Sequence, residues 1–203
     1  MRKIAVIYSG HASHYRTFHD PKFAQYIEKL IYLPELESTD LTPFDVLIVP
    51  SQLNSNLLLK SAQKIREFAD NGKTVLVFGP QPWEWIPNQK WEDRPTNFWW
   101  WLEENADSGL RVKNDDHPFY NFFTLDDCTW HQHGVFWPPA HATTLISTID
   151  NGSVLYIDEQ STNGTWIVTT LDPDYHFGSY FMPAAERFLE ALFPWLSIGK
   201  LTK

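Results

Sequence analysis

The chain has 203 residues, which suffices for one domain with a sizeable core and is too short to favour two. Hydrophobic residues make up 43% and charged residues 20%, a balance typical of folded rather than disordered proteins. The formal net charge of −9 gives little electrostatic support for binding a nucleic-acid backbone, so we expect no nucleic-acid partner.

The sequence also predicts a cytoplasmic protein without a membrane association. The apolar run after Lys3 is too short for the core of a signal peptide, and no stretch of about 18 apolar residues occurs. Cys128 is the single cysteine, so no internal disulfide can form, and a reducing compartment suits the chain.

Strand and helix patterns alternate at the start of the chain. Continuous β-rich runs predict strands at 3–9, 45–50 and 74–78, with a polar loop after the first. Asp20 and Pro21 form an N-cap and first-turn signal, which predicts a helix after the first strand. The inner stripes of this helix and of the next are Phe23, Tyr26, Ile27 and Leu30, and Leu58, Ala62, Ile65 and Ala69. This alternation predicts a parallel sheet whose ligands bind beyond the carboxyl ends of the strands.

The second half of the chain departs from the alternation. Residues from about 80 to 105 hold six of the ten tryptophans and several prolines, which indicates an irregular insertion, with a short helix at 97–104. Runs at 143–149, 153–158 and 165–171 are separated by turn signals and predict an antiparallel meander. An apolar stripe through Phe188 and Leu192 predicts a final helix that Pro194 stops. We therefore expect a single α/β domain over residues 1–203.

Two segments carry a resemblance to a known family. The run 73–79 ends a strand in Val77-Phe78-Gly79, and the run 170–178 ends a late strand shortly before His176. Together with the strand–helix alternation, the late meander and the final helix, these segments make the chain resemble the class I glutamine amidotransferase-like superfamily, and within it the trehalose-utilisation (ThuA-like) and β-galactosidase trimerisation-domain branches. The resemblance implies a flavodoxin-like three-layer sandwich, with a mostly parallel sheet and an added antiparallel meander.

The resemblance also implies a dismantled catalytic triad. The family's nucleophilic cysteine stands in a sharp turn after the third predicted strand, where this sequence has Gly79-Pro80-Gln81. His176 matches the triad histidine, whereas Gly178 occupies the position of the acid. Either Asp172 or Asp174 could orient the imidazole of His176 instead. Of the two, Asp174 is predicted to act with His176 as the catalytic pair.

Other polar residues are candidates for ligand binding. His131 and His133 lie two positions apart, so on an extended segment both imidazoles face the same side and could share a metal ion, although no zinc-binding motif is present. The alternative is a loop in which both histidines bind backbone carbonyls. No other cofactor is predicted. The residues expected to line a residual pocket for a small polar ligand are His11, Ser51, Gln81, His133 and His176.

The tryptophans of the insertion suggest an interface. The six tryptophans of this irregular segment cannot all point inward, so we expect some of them to contact a protein partner or a second copy of the chain. The residues expected at this interface are Trp83, Trp85, Trp99 and Trp100. Stacking against a ligand and packing within the chain are the alternatives.

The leading hypothesis is a catalytically degenerate amidotransferase-like domain that acts as a small-molecule-binding or protein-assembly module. The rival is a hydrolase or isomerase of a sugar-like or other polar small molecule that uses His176 or a histidine-bound metal.

Overall fold

All ten strands in the described part of the chain join one sheet. The computed structural model describes residues 1–96, 102–180 and 182–203. The strands are β1 (Ile4–Tyr8), β2 (Ile27–Tyr32), β3 (Val46–Val49), β4 (Thr74–Val77), β5 (Lys90–Asp93), β6 (Leu110–Val112), β7 (Gly134–Trp137), β8 (Thr143–Thr148), β9 (Ser153–Asp158) and β10 (Thr165–Thr169). The helices are α1 (Ala12–His19), α2 (Pro21–Ala24), α3 (Ser55–Lys60), α4 (Ala62–Asp70), α5 (Pro173–Gly178) and α6 (Pro183–Ile198).

The parallel half of the sheet has the strand order β2-β1-β3-β4-β10. This is the order of a flavodoxin-like fold, with β10 in the place of the fifth strand. The four central strands carry side chains that are buried on both faces, which explains their continuous apolar sequences. The predicted α/β class and flavodoxin-like arrangement are confirmed.

Two layers of helices cover the sheet. On one face Val6, Ile48 and Leu76 share a core with Phe188 of α6 and Phe23 of α2. On the other face the alternate strand residues pack against α3 and α4, which contribute Leu58, Ile65 and Phe68. The alternation of side chains along each strand thus supplies both cores of the three-layer sandwich.

The helix predicted through Leu30 is wrong beyond Ala24. Residues 27–32 form β2, which pairs in parallel with β1 at the edge of the sheet. Leu30 packs against the core on one face, whereas Ile31 is buried in the core on the other. Neighbouring residues can serve opposite layers only in a strand, so burial on two faces outweighed the helical spacing. The helix between β1 and β2 lies instead mainly at α1, in the segment predicted as a polar loop.

The antiparallel half is larger than the predicted meander. Strands β8, β9 and β10 form that meander as expected. In addition, β6 pairs with β8, and β5 from the tryptophan-rich insertion pairs with β7. The insertion is therefore irregular only in part, because 90–93 extends the sheet. The helix predicted at 97–104 lies largely outside the described residues.

Helix α6 continues through Pro194, contrary to the predicted stop. A proline inside a helix removes one backbone hydrogen bond and costs about 3 kcal/mol. The turn beyond Pro194 buries Trp195 and Leu196, and each large apolar side chain gains about 1.5–3 kcal/mol on burial. The helix therefore persists to Ile198 because packing outweighs the lost bond. No helix among the described residues is long and apolar enough to cross a membrane.

Candidate functional site

The loops after β1, β3, β4 and β10 meet at the carboxyl edge of the parallel strands. Gly79, two residues after β4, donates its N–H to the carbonyl of Leu171 at 2.9 Å. Its φ of +76° suits glycine, and an added Cβ would lie 2.8 Å from Cβ of Ser51. Gly79 thus lets the turn after β4 pass between the loops that follow β3 and β10.

A pocket of about 520 Å³ opens at this edge. Its lining is polar or aromatic and comprises Gln52, His131, His133, Asp172, Tyr175, His176 and Ser179. Gln52 follows β3 and has a φ of +55°, a left-handed conformation that is uncommon for residues with a side chain. Ligand sites of doubly wound folds lie at this position, so the pocket is the candidate functional site.

The centre of the site is an Asp–His pair. Asp172 immediately precedes α5 and His176 lies one turn later, so that Nε2 of His176 is 3.2 Å from Oδ1 of Asp172. The buried indole of Trp130 donates its Nε1–H to the same carboxylate oxygen at 3.2 Å. Burial raises the pKa of Asp172, but the contacts with His176 and Trp130 outweigh it, and the pKa lies below its usual value. Asp172 is therefore a carboxylate at neutral pH.

His131 and His133 lie beside this pair. The ring of His131 is centred 4.8 Å from that of His176 and 5.3 Å from that of His133. Burial and the nearby His176 lower the pKa of His131 to about 4, so this imidazole is neutral at physiological pH. Nδ1 of His133 lies 3.1 Å from the hydroxyl of Thr96. Across residues 1–96, 102–180 and 182–203, no group of three or more histidine, cysteine or acidic side chains is placed to hold a metal ion.

Asp174 lies in a second cluster rather than beside His176. Its Oδ2 accepts hydrogen bonds from both the backbone N–H and the hydroxyl of Ser51, each at 3.0 Å. The same oxygen lies 3.1 Å from Nε2 of His14, an ion-pair contact whose alignment is not that of a hydrogen bond. Asp174, His14 and Ser51 are all fully buried. The residue that contacts His176 is therefore Asp172, whereas the predicted partner Asp174 contacts His14 and Ser51.

Of the five residues predicted to line the pocket, the structure brings His133 and His176 together there. Ser51 is buried against Asp174, and His11 is exposed, where it caps α1 by accepting the N–H of Ser13. The carboxamide of Gln81 is buried, accepts the indole N–H of Trp85 at 2.8 Å and donates to the carbonyl of Phe78. Gln81 therefore holds the insertion to the sheet.

The aromatic insertion has one buried and one exposed tryptophan among those predicted to form an interface. Trp85 is 1% exposed and packs against Trp166, so it is not available to a partner. Trp83 is 36% exposed. Trp99 and Trp100 lie outside the described residues.

Cys128 is buried in the core beneath α6, and burial raises its pKa well above the usual value, so it does not supply a reactive thiolate.

Comparison with solved structures identifies similar folds. A cytoplasmic protein from Salmonella typhimurium LT2 has a TM-score of 0.61 and 12% sequence identity, and 97% of each chain is covered. A glutamine amidotransferase from Thermotoga maritima has a TM-score of 0.60 and 10% identity, over 97% of this chain and 95% of that one. An exo-β-1,4-mannosidase from Opitutaceae bacterium strain TAV5 has a TM-score of 0.57 and 8% identity, over 97% of this chain but 36% of that one.

No protein-family model matches the sequence, and no curated protein sequence is similar to it. At such low identities the structural comparisons show a shared fold and not a shared activity. The chain has a glutamine amidotransferase-like α/β fold.

Proposed function

We propose that this domain is a catalytically degenerate relative of the glutamine amidotransferases that binds a neutral, hydroxyl-rich small molecule. The observation that supports it is the 520 Å³ pocket around Asp172 and His176, at the sheet edge where this fold class binds ligands. We keep the trehalose-utilisation (ThuA-like) and β-galactosidase trimerisation-domain branches as the expected relatives. A cytoplasmic location likewise remains our expectation.

The chemistry of the lining favours a neutral polyol over an anion. Within the described chain, neither lysine nor arginine lines this pocket, and His131 is neutral at physiological pH. Carboxylate, imidazole and carboxamide groups offer both donors and acceptors to hydroxyl groups. Tyr175 adds an aromatic ring of the kind that packs against a sugar. One of the proteins with a similar fold is a mannosidase, which agrees with a carbohydrate-like ligand.

Glutaminase activity by a cysteine mechanism is not expected. The residue after Gly79 is Pro80, which has no nucleophilic atom, and the single thiol of the chain is buried at Cys128. Incubation with glutamine should therefore release no ammonia above the background rate. Turnover of glutamine by the purified protein would contradict the proposal.

A binding titration with a matched control tests the pocket. Calorimetry with D-mannose, D-galactose and D-glucose should reveal one sugar that binds, whereas inorganic phosphate should not bind. His176→Asn should weaken that binding at least about tenfold, the equivalent of 1.4 kcal/mol for a lost buried hydrogen bond. His141→Asn is the control, because His141 also contacts an aspartate, Asp158, at 3.1 Å but belongs to neither the pocket nor its edge of the sheet. Absence of binding, or equal effects of both substitutions, would contradict the proposal.

A second candidate function is acid–base catalysis by His176 on the same ligand, as in a sugar hydrolase or isomerase. It is favoured by the carboxylate of Asp172 at 3.2 Å, which can orient an imidazole as a general base. Turnover of 4-nitrophenyl glycosides or interconversion of aldose and ketose sugars would support it, provided that His176→Asn abolishes the reaction without abolishing binding.

A role in protein assembly rests on Trp83. Of the tryptophans expected at the interface, Trp83 and Trp85 lie within the described residues, and of these two the indole of Trp83 is the exposed one. Sedimentation of the wild-type protein and of Trp83→Ala should show an assembly that the substitution weakens. A wild-type protein that is monomeric at all concentrations tested would remove this part of the proposal.

A further inference from the structure

We propose that Ser9, His14 and Asp174 form a serine-based catalytic relay that hydrolyses a small ester, at a site separate from the pocket. The hydroxyl of Ser9 lies 3.5 Å from Nδ1 of His14, and the carboxylate of Asp174 lies 3.1 Å from Nε2 of the same ring. A nucleophile, a base and an orienting acid in this sequence of contacts are the parts of an activated serine. The inference does not depend on the proposed ligand of the pocket.

Local structure brings the three side chains together. Ser9 directly follows β1, and Gly10 with a φ of +85° turns the chain into α1, which places His14 on the buried side of that helix. Helix α5 packs closely against α1 because Gly178 has no side chain. An added Cβ there would lie 2.1 Å from the carbonyl oxygen of Ser13. This close approach carries Asp174, at the start of α5, to the ring of His14.

Asp174 is held firmly in place. Its Oδ2 accepts two hydrogen bonds from Ser51, and its carbonyl oxygen accepts one from the hydroxyl of Thr17 at 2.7 Å. Oδ1 of Asp174 has no hydrogen-bond partner within the described residues. The 3.1 Å contact with Nε2 of His14 lacks the alignment of a hydrogen bond, but the negative charge of a carboxylate at that distance favours the proton on Nε2, which leaves the lone pair of Nδ1 facing Ser9.

The chemistry that follows is the two-step hydrolysis of an ester by water. The hydroxyl oxygen of Ser9 bonds to the carbonyl carbon of the ester while its proton passes to Nδ1 of His14. The carbon–oxygen bond to the alcohol then breaks, and the alcohol departs with that proton. Water attacks the acyl-serine in the same way, releases the carboxylic acid and restores Ser9. The 3.5 Å contact is long for a hydrogen bond, and such contacts shorten when substrate binds.

The surroundings of Ser9 suit a small substrate. Ser9 is half-buried and the neighbouring Gly10 is exposed, with no atom within 4 Å of an added Cβ, so the chain is open to solvent at the residue next to Ser9. By contrast, Ser161 and Asp158 both contact the same nitrogen, Nε2 of His141, at 3.2 and 3.1 Å. One nitrogen cannot accept the proton of serine while it donates to the acid, so this second Ser–His–Asp group lacks the relay and serves as a control.

The test is labelling with a fluorophosphonate, which reacts with activated serines by displacement of fluoride, followed by mapping of the modified peptide. We expect label on Ser9 of the wild-type protein, none there in Ser9→Ala, and unchanged labelling of Ser9 in Ser161→Ala. Hydrolysis of 4-nitrophenyl acetate should fall at least about tenfold in Ser9→Ala.

A second variant and a comparison within the wild-type protein separate activation by His14 from simple exposure of a hydroxyl. His14→Gln should lower the labelling rate of Ser9 at least about a hundredfold. If His14→Gln does not fold, the wild-type protein decides, since Ser9 should be labelled at least about tenfold faster than Ser161. A wild-type Ser9 that stays unlabelled, or that is labelled no faster than Ser161, would overturn the proposal. Neither outcome affects sugar binding in the pocket.

Discussion

The indole of Trp130 offers a direct measure of how strongly the protein stabilises the charge on Asp172. Trp130→Phe keeps an aromatic ring against Phe188 but removes the N–H that Oδ1 of Asp172 accepts at 3.2 Å. A hydrogen bond to a charged group contributes about 1.5–3 kcal/mol. Asp172 is 2% exposed, so solvent does not screen this contact. We expect the variant to lose at least that much free energy of unfolding at pH 7.

The loss should depend on pH. The contacts of Asp172 lower its pKa in the folded state, so they stabilise the protein above the pKa of the unfolded chain, about 3.9. This stabilisation disappears as the pH falls through the folded-state pKa, since the protonated acid gains little from the N–H. The difference in free energy of unfolding between wild type and Trp130→Phe should therefore be largest at neutral pH and shrink towards the remaining packing loss at an acid pH below the folded-state pKa of Asp172.

Urea denaturation followed by fluorescence at both pH values measures this difference. Trp85→Phe is the matched control, because Trp85 is equally buried and donates its N–H to the neutral oxygen of Gln81 at 2.8 Å. Its effect on stability should not change with pH. If Trp130→Phe were equally destabilising at neutral and acid pH, or if both variants showed the same pH dependence, the N–H of Trp130 would not stabilise a charge and the reasoning would be refuted.

Three further predictions concern packing. Gly178→Ala places a Cβ 2.1 Å from the backbone of Ser13 and should lower the free energy of unfolding by about 3 kcal/mol or more in thermal denaturation, whereas Gly10→Ala should cost only about 1–2 kcal/mol from its positive φ. Pro194→Ala restores a helical N–H and should raise the free energy of unfolding by about 1–2 kcal/mol, which an unchanged or lower melting temperature would contradict. The thiol of Cys128 should react with Ellman's reagent in urea but not in the folded protein.

The sequence predicted the structure best where a strand is buried on both faces of the sheet, because such a strand is apolar at every position. Runs such as 46–49 and 74–77 can be buried on both faces only as central parallel strands, so the fold class followed from them. The segment with Leu30 and Ile31 was misassigned because an edge strand that serves both cores mimics helical spacing over a short length. The length of α6 could not be predicted either, since it depends on how tightly Trp195 packs.

The candidate site was only partly predictable. His176 reaches the pocket because it follows β10, whose carboxyl end lies at this edge, whereas His133 reaches it from the residue directly before β7. Asp172 and Asp174 are two residues apart around Pro173, and the sequence alone left open which of them contacts His176. The start of α5 directs the two carboxylates to different histidines, an outcome that depends on the close approach of α5 to α1. Gln52 was missed because its left-handed backbone has no signal in the residue itself.

The position of β10 between β4 and β9 has a consequence for how the protein folds. The first four strands of the parallel half end at Val77, but the fifth is supplied only by residues 165–169. The ends of the chain are also joined late, since Arg2 donates to the carbonyl of Gly199, 197 positions away. Pairings so distant in sequence form slowly. During synthesis one edge of β4 therefore remains unpaired until β10 emerges. We expect chaperones or other nascent chains to associate with this edge during that time.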